Sequence, residues 1–150
     1  MLDTNKEHYD FSCWVIKYGC ISILGKTYQK DSLKSSDGLI VPLLWQHQHN
    51  DPMLVLGHAL LENRDEGIYA YCTLSDNHTN EITIQLIRDR GSVSLSPYIT
   101  QVKTDEKTIT HGMIREVSLV LARNERALVT TTRALLFTSK WLVYYFRYQV

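Results

Sequence analysis

VPLLWQHQHN, residues 41–50, carries an apolar run into a polar turn that holds two histidines. Such a run reads as a buried strand whose last residues emerge at the rim of a core, where functional groups are commonly displayed. His47 and His49 flank Gln48, so in an extended chain both rings point to one side. A histidine at a rim can take a proton from a neighbouring hydroxyl, because imidazole acts as base and then as acid around neutral pH. The question for the rest of the chain is which hydroxyl meets it, and on which strand.

Outward from that stretch, residues 53–61 form a second apolar run after the loop at 47–52, and ENRDEG at 62–67 has the composition of an exposed hairpin tip. IYAYCTL at 68–74 then returns as a strand of alternating aromatic and small residues. Upstream, FSCWVIKYGCISIL at 11–24 is β-branched and aromatic, interrupted by Gly19, which fits two short strands or one bent strand. Residues 31–36 suit a helical turn or two, closed by Asp37-Gly38. Downstream, SDNHTN at 75–80 supplies N-cap residues for EITIQLIRDR at 81–90, a strand by composition but a short helix by its caps and by Gly91. SVSLSPYITQV at 92–102 alternates as a half-buried strand; Pro97 lacks an N–H, so this strand runs along an edge there or breaks its ladder just beyond Ser96. MIREVSLVLA at 113–122 reads as a further strand. These elements predict a mixed α+β fold, mainly an antiparallel β-barrel of six or seven strands with a few surrounding helices.

A chain of 150 residues is the length of one domain. Sixteen basic and sixteen acidic side chains cancel, so no net field recruits nucleic acid or an anionic membrane. Cys13, Cys20 and Cys72 are widely spaced and form no CxxC pair, which points to reduced core thiols in a cytosolic protein. MLDTNKEHYD at the start is polar, without the apolar stretch of a secretory signal. Residues 123–150 differ in character from residues 1–122: they are rich in aliphatic and aromatic side chains, yet Lys140 and Arg147 interrupt them, so a surface-covering or partner-binding tail is expected and a membrane span is not.

Ser96 is one of three serines in GSVSLSP, and no GxSxG elbow accompanies it. Glu116 in REVSLV is flanked by apolar residues that should be buried, and an unpaired buried charge costs several kcal/mol. Arg115 is adjacent and points to the opposite face of a strand, so it is a poor partner; a histidine would satisfy the carboxylate. Serine, histidine and carboxylate together make a nucleophile, a base and an orienter. His49 stays open as the base in place of His47, and His111 as the orienter in place of Glu116. No third and fourth ligand lies at short spacing from His47 and His49, although His58, His78 and His111 are available in principle, so a metal is not expected there; nucleophile, base and orienter together require no cofactor.

The segments VPLLWQHQHNDP, VLGHALLENRDEGIYAYCTL, GSVSLSPYI and HGMIREVSLVLA resemble, in order and spacing, the prohead maturation proteases of tailed bacteriophages, over residues 11–122. The resemblance implies a serine protease related in fold to the herpesvirus assemblins, a closed antiparallel barrel with surrounding helices. It places the histidine on His47 of LLWQH, the serine on Ser96 of LSPY and the glutamate on Glu116 of EVSLV. It further implies the phage major capsid, scaffold and portal proteins as partners and self-association in the prohead. The location it implies is the host bacterial cytoplasm, inside the assembling prohead. Two features depart from the family pattern: Pro97 removes an N–H that would be available to an oxyanion hole, and ARNERALVTTTRALLF stands where a small-residue run such as AGANPGA usually follows. They leave an alternative reading, a catalytically impaired protease-fold module from a degraded prophage that binds assembly or scaffold proteins.

Overall fold

A computed structural model of the protein describes residues 9–21, 25–48, 50–75, 93–121 and 135–136. Eight strands run through them: β1 (Phe11–Lys17), β2 (Thr27–Tyr28), β3 (Ile40–Trp45), β4 (Val55–Arg64), β5 (Gly67–Leu74), β6 (Val93–Asp105), β7 (Thr108–Leu121) and β8 (Leu135–Leu136). They form one sheet in the order β2-β7-β3-β4-β5-β1-β8, with β6 added to β7. β1, β4 and β5 are neighbouring antiparallel strands, and β4 turns into β5 at the charged tip foreseen from ENRDEG.

β7 is the hub. One edge carries β6 in an antiparallel ladder from Val93↔Leu121 to Asp105↔Thr108, while the other carries two parallel partners, β2 at Thr108 and Ile109 and β3 at Val117 to Leu119. Between these parallel partners, the turn before β3 supplies the missing bonds. Gly112 N–H donates to the Ser32 carbonyl, Ile114 N–H donates to Ser36 Oγ, and Ser35 Oγ–H donates to the Gly112 carbonyl. Backbone groups that would otherwise be buried unpaired are thereby satisfied, and Leu33 of the same turn is driven into the core, fully buried.

The sheet curls into a half-barrel. Its concave side gathers Phe11, Leu33, Leu43, Leu56, Leu61, Ile68, Ile114, Val117 and Leu119, each essentially inaccessible; burial of each side chain of this kind contributes roughly 1.5–3 kcal/mol. The curl brings β1 against β6, where the Cys13 thiol meets the Leu95 backbone. On the opposite face of β1, β4 and β5 lies a second cluster, Trp14, Leu60, Tyr69 and Tyr71, with the Arg64 guanidinium 4.0 Å from the Tyr69 ring centroid and donating to Tyr71 Oη at 2.7 Å. β1 and β5 are therefore buried on both faces, which is why their sequences are apolar or aromatic almost throughout.

Two expectations are corrected. The fold is not mixed α+β with surrounding helices: no α-helix occurs among the described residues, and the segment around residues 31–36 makes only turns and a single 3-10 turn, Lys34–Ser36. Its serines bond to β7 instead of supporting a helix, and Asp31 is left-handed (φ 60°). The helix expected at 81–90 lies outside the described residues. Nor is the sheet the closed antiparallel barrel: it is a half-barrel in which β2 and β3 run parallel to β7. No helix among the described residues is long and apolar enough to cross a membrane.

A β-bulge at Leu56, between the pairs Leu43↔Gly57 and Leu44↔Val55, sets the angle at which β3 ends. A Cβ on Gly57 would lie 1.9 Å from the Thr73 carbonyl oxygen. Gly57→Ala is expected to lower stability by about 2–4 kcal/mol in denaturant unfolding. Burial raises the Cys13 thiol from its ordinary 9.0 to about 12 and pushes Cys72 well up too, whereas Cys20 is only partly buried. At pH 8 a thiol reagent should label Cys20 alone until the chain is unfolded. The fold favours the neutral thiols, so their contribution to stability is complete below about pH 9 and declines towards pH 12, which a series of alkaline melts would register.

Candidate active site

Glu116 and Ser118 project from β7 on the face opposite the core, while Val117 and Leu119 point into it. A bulge at Arg115, between Tyr98↔Glu116 and Ile99↔Ile114, allows Ile114 and Val117 both to face the core and aims Glu116 outwards. Arg115 itself is exposed and donates from Nε to Thr100 Oγ1 at 2.9 Å. Ser96 of β6 is paired directly with Ser118, and Tyr98 with Glu116, so Ser96, Ser118 and Glu116 share one face. Pro97 continues the ladder opposite Val117, and β6 has β7 as its only ladder partner among the described strands, the edge position a proline tolerates.

His47 arrives from the other side of β7. After Trp45, paired with Leu119, the chain makes a turn in which Gln46 (φ 44°) and His47 (φ 56°) are both left-handed. Gln48 N–H donates to the Trp45 carbonyl at 2.9 Å and closes the turn, while Gln46 N–H donates to the Leu119 carbonyl at 2.9 Å. Positive φ at both central positions is the signature of a type I′ turn, and neither residue is a glycine, so the conformation costs roughly 1–2 kcal/mol per residue. His47 N–H donates to Ser118 Oγ at 3.0 Å. The turn thus folds the imidazole back over β7.

The ring lies between its two partners, with Nδ1 3.1 Å from Glu116 Oε1 and Nε2 3.2 Å from Ser96 Oγ. An ionised carboxylate only accepts, so in the neutral ring the proton sits on Nδ1, and Nε2 is left to accept the Ser96 hydroxyl proton. The Glu116 side chain is 8% exposed and that of His47 36%; Ser96 is partly exposed. The carboxylate is therefore shielded, while the His47 ring and Ser96 are each partly open to solvent. The serine–histidine distance is at the upper end of the roughly 2.6–3.2 Å within which a base takes a proton, a span that loosens without substrate.

Of the alternatives left open in the sequence, His49 lies outside the described residues, and His111 is exposed, its Nδ1 3.2 Å from Thr110 Oγ1. Among the described residues, no group of three or more His, Cys, Asp or Glu side chains is placed to hold a metal ion. Sequence reasoning passed over Ser118. Its signal was the period-2 spacing in EVSLV, which puts it on the face of Glu116. No protein-family model matches the chain, and neither a curated protein nor a solved structure does.

His47→Ala should destabilise the protein by about 1–3 kcal/mol, because it removes a hydrogen-bonding partner from a shielded carboxylate. Combining it with Glu116→Gln should cost less than the sum of the single changes, by roughly 0.5–3 kcal/mol in a double-mutant cycle. Additive losses would mean that the ring and the carboxylate contribute independently.

Proposed function

We propose that the protein is a serine endopeptidase that processes capsid and scaffold proteins during maturation of a phage head. The observation that carries the chemistry is the contact chain from Ser96 Oγ through the two nitrogens of His47 to Glu116. The identity of the substrates rests on the sequence resemblance to prohead proteases. Ser96 Oγ attacks the scissile carbonyl while its proton passes to His47 Nε2. Glu116 holds the ring in the tautomer that leaves Nε2 free to accept and stabilises the imidazolium that forms. The imidazolium returns the proton to the departing amine, leaving an acyl group on Ser96. Water, activated by the same Nε2, then releases that acyl group. No step calls for a cofactor. Cleavage takes place in the assembling prohead within the host bacterial cytoplasm, with the major capsid, scaffold and portal proteins as partners.

Pro97 favours a second reading. The N–H next to a nucleophilic serine is a convenient donor to the oxyanion of the tetrahedral intermediate, and loss of one such donor costs about 10²–10³ in rate. A module that retains this constellation but binds assembly proteins without turning them over would tolerate a proline there.

Ser96→Ala should abolish cleavage of the phage capsid precursor while the melting curve stays within error of the parent. Glu116→Gln should lower kcat by roughly 10³–10⁴-fold, as expected when the ring loses the partner that selects its tautomer. A fluorophosphonate probe decides between the two readings: labelling at Ser96 supports the peptidase, and an unlabelled, folded protein supports the binding module.

A further inference from the structure

We propose that Ser118 is a positioning residue for this site: by accepting the His47 N–H, its buried hydroxyl holds the imidazole between Glu116 and Ser96. The inference deepens the peptidase reading and rests on it for its kinetic consequence, though its geometric content stands apart from that reading.

Three observations meet at this side chain. Ser118 is fully buried on a face where Leu44 and Glu116 are also buried, so its Oγ has little freedom to move. It accepts from the backbone of His47, inside a turn whose two central residues are held in the left-handed region without a glycine. It is also the cross-strand partner of Ser96. A single side chain on β7 thereby references the base and the nucleophile to the same point of the sheet. The other two bonds of the turn, Gln46 N–H to Leu119 and Gln48 N–H to Trp45, fix the chain on either side of His47 and leave the His47 N–H itself to Ser118. Without that acceptor, a partly buried donor loses its partner and the left-handed pair loses the bond that offsets its strain. Relaxation of φ at His47 swings the ring away from β7, because the ring is carried directly on that Cα.

A side chain that only filled space would be replaceable by any residue of similar volume. A side chain that positions the ring must keep an oxygen acceptor, so Ser118→Thr should retain function where Ser118→Ala and Ser118→Cys do not. In the parent protein the His47 amide should exchange slowly with solvent, and the His47 Nδ1 proton shared with Glu116 should give a downfield resonance. Ser118→Ala should speed exchange of that amide and remove the resonance; it should also lower kcat by roughly 10- to 100-fold with KM within about twofold. Ser118→Thr should restore all three. Gln46→Gly, which takes positive φ freely, should recover part of the loss in the Ser118→Ala background. If Ser118→Ala does not fold, Ser118→Cys preserves the volume with a much weaker acceptor and should show the same losses. Fast exchange at the His47 amide of the parent, or exchange and kcat unaltered in the folded Ser118 variants, would overturn the assignment. A parent that neither cleaves nor takes a fluorophosphonate, yet loses amide protection in Ser118→Ala, would sink the peptidase reading and leave the positioning role standing.

Discussion

A carboxylate shielded on the wall of a β-sheet is the constraint from which the arrangement of this protein follows. Glu116 is 6% exposed, and a charge taken out of water must find a partner or give up its proton. Arg115, the residue before it, is exposed and donates to Thr100 Oγ1. A partner comes from the turn after the neighbouring strand β3, a turn that no glycine eases. The strain of that turn and the desolvation of the carboxylate are two local costs accepted at one place. Both are offset by the fully buried apolar side chains on the other face of the sheet, Phe11, Leu43, Ile114 and Leu119 among them.

The topology is what makes such a meeting feasible. β7 has β6 along one edge and β3 at the far end of the other, so three adjacent strands present side chains to a single outer patch. Residues 49 and 69 positions apart in sequence thereby come within hydrogen-bond reach of the same imidazole. A parallel β3–β7 pair is essential to this. It brings the C-terminal end of β3 alongside Leu119, so the turn that follows emerges beside Ser118, whereas an antiparallel pair would send the chain after β3 towards the opposite end of β7. The serine-rich turn before β3 is the complementary device, filling the stretch of β7 that neither parallel partner covers.

What could be read from the chain and what could not separate along a physical line. Strands announced themselves by local alternation and β-branched content, and the proline in GSVSLSP narrowed its strand to an edge or a broken ladder, because each of these depends on a residue's own backbone. The need of Glu116 for a partner was also legible, since the apolar run VSLVLA that follows it implies burial. The parallel pairing of β3 with β7 was not, because no local pattern distinguishes parallel from antiparallel neighbours in a short apolar run. The left-handed pair Gln46-His47 left no trace either: the residues that usually mark positive φ are Gly, Asn and Asp, and none is present there. The helix expected around residues 31–36 failed for a tertiary reason, as its serines found better partners on β7 than a helix would offer.

The gradient of burial across the patch bears on whether this network does chemistry or only holds the fold. A purely structural polar cluster gains most when every member is enclosed, because enclosed bonds are strong and unpaired buried groups are costly. Here the enclosure runs one way: Ser118 is fully buried, Glu116 nearly so, the His47 ring is about one-third exposed and Ser96 is partly open. The members that would anchor and orient are inside, and those that would exchange a proton with an incoming peptide are outside. A surface histidine bonded to a surface serine needs no shielded glutamate behind it, and a shielded glutamate needs no histidine whose second nitrogen faces a serine hydroxyl. A shielded carboxylate, a half-open imidazole and a partly exposed serine are the arrangement that the proposed nucleophile would require.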